Sequence, residues 1–322
     1  MKKIFLLSLS AFLCSILTGC VAINVDLNKN EQNSEVSQQY TNKESKRRTK
    51  SNLPKHLIFI GFDGMCAQSI REGATMPNLR KLMNEGSYSL ESRTILPSSS
   101  ACDWASIFMA SGIEIHGYTT WGSKEPDLPP FELNENGRFP DVFWEYHQAN
   151  PKAEIGYIYE WEGMNYLTDP AATDYRIQTT NCTDVAVKYI KEKKPNLCAV
   201  VFDQPDATGH KIGWRTPEYM NKLTELDSAL GEILQAVKDA GIEKETVIIV
   251  TSDHGGIEKG HGNTSMSEMQ RPLVFWGKNI KKNHVISEKT VVYDLGATMA
   301  YMLNVERPAV WTGRPILSIF EK

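Results

Sequence analysis

The sequence predicts an α/β protein built on a mostly parallel central sheet with helices on both faces. Apolar runs at residues 56–62, 197–202 and 246–251 alternate along the chain with amphipathic stretches of helical period. Runs that are apolar throughout are typical of strands covered on both faces, and their alternation with helices favours parallel pairing. Polar residues follow directly after each run, where open α/β sheets bind their ligands. We therefore expect a functional site along one edge of the sheet.

The first half of the chain supplies two strands and two helices in order. Residues 56–62 form the first strand, and Pro77 and Gly86 mark the start and end of the helix that follows. Proline just inside a helix and glycine just beyond it are its usual boundaries. A second strand is expected over residues 87–96, then a serine-rich loop and an apolar-periodic helix that ends near residue 111. Serines at a helix start either cap the helix or help to bind a phosphoryl group.

Residues 113–178 are the least regular part of the sequence. One strand is expected at residues 155–159, and the remainder predicts long loops and short helices inserted over the active site. Of the aromatic residues in this insert, Tyr159, Trp161 and Tyr166 are candidates for the wall of a substrate pocket.

The second half returns to a regular alternation of strands and helices. Asp206 and His210 follow the strand at residues 197–202 and lie four positions apart across a turn that contains proline and glycine, so both can point at one centre. The expected elements are a helix at 183–194, strands at 197–202, 246–251 and 272–277, and helices at 217–240 and 294–303.

The N-terminus predicts export and a lipid anchor. Two lysines and an apolar stretch at residues 4–17 precede Leu17-Thr18-Gly19-Cys20, which together form a secretory signal. Its last four residues resemble the lipobox of bacterial lipoproteins, in which the cysteine is lipidated. We expect a lipoprotein signal peptide at 1–20, a disordered tether at 21–53, a catalytic domain at 54–322, and a protein anchored to the bacterial cell envelope through Cys20 on its periplasmic side or at the cell surface. A plain signal peptide cut elsewhere is the alternative.

Composition limits the partners of this protein. The chain has 322 residues, 41% of them hydrophobic, and a formal net charge of −4, which gives no reason to expect a nucleic-acid partner. Export permits disulfides. Cys66 and Cys102 each follow a candidate site residue, so a disulfide between them is one possibility.

Metal-capable side chains recur after the strand ends and in glycine-flanked loops. They are Asp63, Asp206, His210, Asp253, His254 and His261. Imidazoles and carboxylates without thiolates suit zinc or a similar divalent ion better than calcium. Because the set exceeds the needs of one tetrahedral catalytic zinc, we expect two divalent metal ions, Zn²⁺, which would clamp a phosphoryl group during in-line displacement.

Five ordered motifs give a family resemblance. Phe62-Asp63-Gly64, the serine loop that starts at Pro97, Pro205-Asp206-Ala207-Thr208-Gly209-His210, Ser252-Asp253-His254-Gly255 and Gly260-His261-Gly262 occur in this order. The chain resembles the alkaline phosphatase superfamily over about residues 55–318, and within it the type I phosphodiesterase/nucleotide pyrophosphatase branch. The resemblance implies a phosphoric ester hydrolase that acts on a small phosphoester substrate.

The same resemblance implies roles for individual residues. One zinc would be held by Asp206, His210 and His261. The other would be held by Asp63, Asp253 and His254 together with the nucleophile, which corresponds to Ser100, with Ser98 and Ser99 as alternatives. Attack by Ser100 on phosphorus would give a phosphoserine that water then hydrolyses.

One position departs from the family pattern and affects the choice of substrate. Asp103 stands where the family carries an asparagine that holds a phosphoryl oxygen. A carboxylate cannot donate that hydrogen bond unless it is protonated, and it repels a phosphoryl anion. The repulsion favours a monoanionic diester over a dianionic monoester.

Three other functions remain as alternatives. A phosphomonoesterase would use the same metals and nucleophile. A sulfatase is disfavoured, because neither Ser100 nor Cys102 is followed by the proline and arginine that such enzymes need for conversion to formylglycine. A non-catalytic binding lipoprotein would keep the fold but would bind no stoichiometric zinc and hydrolyse no phosphoester.

Overall fold

A computed structural model describes residues 52–321 of the chain. The expected signal peptide, its Cys20 and nearly all of the tether lie outside the described residues. Within residues 52–321, no helix combines the length and the apolar character needed to cross a bilayer.

The core of the molecule is one eight-stranded sheet in the order β4-β3-β5-β1-β6-β7-β2-β8. Strands β4, β3, β5, β1 and β6 pair in parallel, whereas β7 runs antiparallel to both β6 and β2. The strands are β1 His56–Phe62, β2 Ser87–Arg93, β3 Ile155–Tyr159, β4 Tyr175–Gln178, β5 Leu197–Phe202, β6 Thr246–Thr251, β7 Gln270–Gly277 and β8 His284–Val285.

Helices cover both faces of this sheet. The α-helices are α1 Ala67–Arg71, α2 Pro77–Glu85, α3 Ser100–Met109, α4 Ile113–His116, α5 Val142–Ala149, α6 Cys182–Lys193, α7 Asp206–Ile212, α8 Pro217–Asp239, α9 Met266–Met269 and α10 Asp294–Met302. Short 3₁₀ helices lie at Glu162–Tyr166, Pro170–Ala172, Glu243–Glu245 and Leu317–Ile319.

The two faces bury separate apolar clusters because side chains alternate along a strand. In β1, Leu57 and Phe59 pack on the face covered by α3, α5 and α10, whereas Ile58 and Ile60 pack on the face covered by α2, α6 and α8. All six residues of β5 and of β6 are buried. The mostly parallel sheet with helices on both faces is the fold class that the sequence predicts.

The structure differs from the sequence expectations at three places. Asp206 and His210 lie on the helix α7 rather than across a turn. Besides the short helices α4 and α5, which the sequence predicts, the insert contains the edge strand β4, which has too few apolar residues to stand out in the sequence. All four cysteines among the described residues are free, and the Cys66 thiol donates to the Ser267 carbonyl oxygen at 3.2 Å instead.

Gly61 in β1 provides the space that positions Trp104 of α3. A Cβ atom at Gly61 would lie 2.5 Å from Cη2 of the Trp104 ring, which is fully buried. The Trp104 indole N–H donates to Asp63 Oδ2 at 3.0 Å. The close contact between strand and helix therefore also fixes one of the carboxylates that follow β1.

We expect Gly61→Ala to lower the free energy of unfolding by about 1–3 kcal/mol, because a buried indole has little room to move away from an added methyl group. Chemical denaturation measures the change. Gly122→Ala is the matched control, since a Cβ atom there meets nothing within 4 Å. Equal stabilities of the two variants would contradict the proposed role of this contact.

Candidate active site

The sheet order brings the metal-capable residues to one edge. Strands β5, β1 and β6 are parallel neighbours, so their carboxyl ends lie side by side. Asp63 follows β1, α7 with Asp206 and His210 follows β5, and Asp253 and His254 follow β6. The Asp206 amide donates to the Asp63 carbonyl oxygen at 3.0 Å, which ties two of these chain segments together.

Asp206, His210 and His261 form the first group of potential ligands. His210 Nε2 lies 3.3 Å from Asp206 Oδ2 and 3.1 Å from His261 Nε2. His261 Nε2 lies 3.6 Å from Asp206 Oδ1. These spacings allow one ion to contact all three side chains, and one ligand atom from each lies within 4.8 Å of the others.

Asp63, Asp253 and His254 form the second group around Ser100. His254 Nε2 lies 3.3 Å from Asp253 Oδ2 and 3.6 Å from Asp63 Oδ1. Ser100 Oγ lies 3.2 Å from His254 Nε2 and 3.4 Å from Asp63 Oδ1. The groups adjoin, because Asp206 also falls within ligand distance of Asp63 and His254.

All three histidines present the same ring nitrogen to the cluster. The Nδ1 atoms of His210, His254 and His261 lie 3.0, 2.8 and 2.7 Å from backbone carbonyl oxygens of Lys259, Gly255 and Ser98. A carbonyl oxygen accepts only, so each Nδ1 carries the proton and each Nε2 keeps its lone pair. This is the second hydrogen bond that metal-binding histidines usually make.

Burial and mutual repulsion oppose the ionisation of the carboxylates. Burial raises the pKa of Asp63 well above its usual range, and the charges of Asp253 and Asp206 raise it further. Burial first, and the charge of Asp253 second, raise the pKa of Asp206 to about 8. Burial also lowers the pKa of His254 to about 4 and that of His261 to about 3, so both imidazoles are neutral at pH 7.

The residues present fit a metal centre. Asp206 Oδ1 and Asp253 Oδ2 are buried and accept no hydrogen bond from any group in residues 52–321. A buried carboxylate oxygen without a partner is costly, and a divalent cation would supply that partner. Carboxylate oxygens and neutral imidazole nitrogens, without thiolates, match the ligand preferences of zinc.

The three serines before α3 lie in different surroundings. A cavity at this edge of the sheet is lined by Ser99 and Ser100, and Ser100 is the first residue of α3. Ser98 Oγ donates to the Asn263 carbonyl oxygen at 3.2 Å and accepts from the Gly262 amide at 2.9 Å. Of these three hydroxyls, only that of Ser100 contacts the ligand cluster, which favours it as the candidate nucleophile.

Asp103 lies away from the cavity. It is fully buried within α3, and its Oδ2 accepts the Ser99 amide N–H at 2.7 Å. Burial and the charge of Asp253 raise the pKa of Asp103 well above its usual range, while the Thr94 hydroxyl, the Ser99 amide and Arg271 lower it. The carboxylate therefore supports the turn that presents Ser100.

A buried arginine connects β7 to the end of β6. Arg271 of β7 is fully buried, and its Nη1 donates to Thr251 Oγ1 at 2.5 Å and to the Ser252 carbonyl oxygen at 3.0 Å. Burial lowers the pKa of Arg271 to about 10, against the attraction of Asp103 and Asp253, so the side chain stays charged. Arg271 thus supplies positive charge beneath the ligand cluster.

Sequence reasoning missed several residues of this site. Trp121 and Asp203 line the cavity, Trp104 donates to Asp63, and Arg271 lies beneath the cluster. Asp203 directly follows β5, as Asp63 follows β1, so the strand-end rule applied to β5 would have found it. Of the three aromatic residues expected in a pocket wall, Trp161 lines this cavity, and Tyr159 and Tyr166 are not among its lining residues.

We expect Asp103→Asn and Arg271→Met each to destabilise the protein, because each removes one partner of the electrostatic attraction between Arg271 and the ionised form of Asp103. The free energy of unfolding of the double variant should be about 1–3 kcal/mol higher than the sum of the two single losses predicts. Denaturation of the four proteins measures this coupling. A second double-mutant cycle combines Arg271→Met with Asp227→Asn. Asp227 is a buried carboxylate that accepts hydrogen bonds from the Asn78 and Leu79 amides instead, so the effects of these two substitutions should be additive. Additivity in both cycles would refute the link.

Comparison with known proteins identifies the family. A family model described as type I phosphodiesterase / nucleotide pyrophosphatase matches residues 57–291. Ectonucleotide pyrophosphatase/phosphodiesterase family member 1 of Rattus norvegicus is 24% identical over 222 residues, which are 64% of this chain and 24% of that protein. The bis(5'-adenosyl)-triphosphatase of Homo sapiens is 22% identical over 222 residues, 64% of this chain and 48% of that protein. The chain thus spans less than half the length of either relative.

Solved structures confirm the fold class. Murine ectonucleotide pyrophosphatase/phosphodiesterase 5, an inactive variant in complex with AMP, matches with a TM-score of 0.70 at 14% identity, over 83% of this chain and 100% of that one. A 2-O GAG sulfatase matches with a TM-score of 0.65 at 13% identity, over 82% of this chain and 73% of that one. Because the family model covers most of the sequence, the chain belongs to the type I phosphodiesterase/nucleotide pyrophosphatase family.

Proposed function

We propose that this protein is a metal-dependent phosphodiesterase that cleaves a small phosphoester through a phosphoserine at Ser100. The observation that supports this most strongly is the convergence of three imidazole lone pairs and three buried carboxylates beside one serine hydroxyl. The names of the relatives add support, since they include a nucleotide pyrophosphatase/phosphodiesterase and a bis(5'-adenosyl)-triphosphatase, and a similar structure contains AMP.

We assign two zinc ions to this site. Asp206, His210 and His261 would hold one, and Asp63, Asp253 and His254 would hold the other beside Ser100. When bound, such ions lower the pKa of a hydroxyl group or a water molecule and offset negative charge on phosphoryl oxygens.

The surroundings of Ser100 orient it for attack. Its contacts within the cluster, Asp63 Oδ1 and His254 Nε2, are both acceptors, so the hydroxyl proton points at the cluster and an Oγ lone pair is left for the cavity. As the first residue of α3, Ser100 also lies at the positive end of the helix dipole, which favours a phosphoryl group.

The reaction then has two displacements. The bond from Ser100 Oγ to phosphorus forms as the bond from phosphorus to the leaving alcohol oxygen breaks. Water next breaks the bond between Oγ and phosphorus, which restores the serine and releases the phosphate monoester.

A phosphomonoesterase with the same site is the second candidate. Apart from the proposed metal ligand Asp206, the carboxylate that lines the cavity among the described residues is Asp203, whereas Asp103 is buried behind Ser99. A negative charge in the cavity wall repels a dianionic monoester more than a monoanionic diester. Asp203 therefore favours the diesterase, and comparison of bis(p-nitrophenyl) phosphate with p-nitrophenyl phosphate separates the two activities.

We also propose that the enzyme is a lipoprotein of the bacterial cell envelope, anchored through Cys20. This proposal rests on the lipobox-like Leu17-Thr18-Gly19-Cys20 and on the apolar stretch before it. An enzyme exported in this way would meet phosphoesters outside the cytoplasm.

We expect Ser100→Ala to lower kcat for bis(p-nitrophenyl) phosphate at least about 10³-fold, because the bond to phosphorus cannot form without the hydroxyl oxygen. Bound zinc should persist in this variant, as measured by inductively coupled plasma mass spectrometry. Ser99→Ala, at the adjacent position, is the control and should remain active. Activity in Ser100→Ala but not in Ser99→Ala would move the nucleophile to Ser99.

Zinc content tests the ligand assignment directly. We expect His210→Ala and His254→Ala each to lower bound zinc from about two ions to about one per chain, since each removes a ligand from a different group. His147→Ala removes a histidine of α5 that packs against Trp144, away from the cluster, and should keep both ions. Full zinc content in His210→Ala and His254→Ala would refute the assignment.

A further inference from the structure

The cavity at the active-site edge has a second region beyond the ligand cluster. Its volume is about 540 Å³, which leaves room for more than a phosphoryl group. Besides the cluster and the serines, its wall contains Trp121, Trp161 and Asp203. Lysine and arginine are missing from that wall in the part of the chain that the structure describes. The group esterified to the phosphate must therefore meet two indoles and one carboxylate.

The two indoles form a fixed aromatic surface. The Trp121 and Trp161 rings stack with their centroids 6.1 Å apart and their planes at 28°. Trp161 packs over Gly163, where a Cβ atom would lie 2.2 Å from the ring, so the tryptophan has little freedom. Trp121 is 61% exposed, and no lysine or arginine of residues 52–321 covers either ring in a cation–π contact.

Asp203 supplies a carboxylate without an opposite charge. Its backbone N–H donates to Glu160 Oε2 at 2.8 Å, which fixes the main chain after β5. Within the described residues, its own carboxylate accepts no hydrogen bond and forms no ion pair with lysine or arginine. Lys124, the cation nearest in sequence to Trp121, pairs with Glu162 at 3.3 Å and lies over the Tyr166 ring. The half-buried Asp203 is thus left to a ligand.

We propose that the cavity selects phosphodiesters whose esterified alcohol carries an alkylammonium group. An organic cation is attracted to indole faces and to a carboxylate, and its transfer from water into such a site costs little hydration free energy. A second phosphate would be repelled by Asp203, and a sugar hydroxyl would make only a neutral hydrogen bond with it. The inference rests on the proposed phosphodiesterase function and adds its substrate class.

A pair of isosteric substrates tests the charge alone. The p-nitrophenyl phosphodiesters of choline and of 3,3-dimethylbutanol differ only in nitrogen against carbon at the branched centre. We expect kcat/KM to be about tenfold higher for the choline ester in the wild type. Asp203→Asn should bring the ratio towards one. Glu135→Gln, which neutralises an exposed carboxylate of the same insert outside the cavity wall, should leave the ratio unchanged.

A binding measurement makes the test independent of turnover. Tetramethylammonium chloride should change tryptophan fluorescence saturably in the wild type, and sodium chloride at equal ionic strength should not. The change should be lost in Asp203→Asn and in Trp161→Leu. The carboxylate variant leaves both indoles in place, so its loss of response would report on the charge.

The outcomes separate this inference from the proposed function. Turnover of bis(p-nitrophenyl) phosphate together with equal kcat/KM for the two isosteres would overturn the ammonium inference and keep the phosphodiesterase. A preference for the neutral isostere would also overturn it. No turnover of any diester by zinc-loaded protein would refute the phosphodiesterase, whereas a saturable fluorescence response that needs Asp203 would still support the ammonium site.

Discussion

The repulsion among three carboxylates buried at one edge of the sheet is the constraint on which the site depends. Beyond the effect of burial, the charges of Asp253 and Asp206 raise the pKa of Asp63, and the charge of Asp253 raises the pKa of Asp206. The imidazoles cannot relieve this repulsion as cations, because burial keeps His254 and His261 neutral. Backbone carbonyls fix the tautomer of each ring, so the lone pairs converge where a cation is needed. The conformation of the two loops that carry these carbonyls, one before α3 and one after β6, thus decides whether the cluster can bind metal.

The sheet holds those loops in place. Strands β5, β1 and β6 are adjacent and parallel, and backbone hydrogen bonds from Asp63 to Phe202 and from Asp206 to Asp63 join their ends. Two side chains of α3 hold this helix beside the cluster, since Trp104 donates a hydrogen bond to Asp63 and Asp103 accepts one from the Ser99 amide. Arg271 then connects the strand that follows the site to the residues that precede Asp253. Fold and site are therefore stabilised by the same contacts.

The sequence was sufficient for six of the eight strands, for most helices and for the residues of the cluster, because periodicity and strand-end position carry that information, whereas the short edge strands β4 and β8 do not stand out. Strand β1 has the predicted limits, and the metal-capable residues meet where parallel strand ends must meet. The orientation of individual side chains could not be predicted. Asp103 follows Ser100 by three positions, yet it points into the core, and only the packing of α3 determines this. Trp121 lies in an irregular segment without any period from which to infer its place.

The burial of α3 has a consequence for how relatives of this protein can diverge. All ten residues of this helix are buried, so its sequence is restrained by the interior of the molecule on every side. Trp121, in contrast, belongs to a loop insert and is mostly exposed. Substitutions around Trp121 can therefore change the cavity wall without disturbing Ser100, the proposed nucleophile, and new specificities should arise there first.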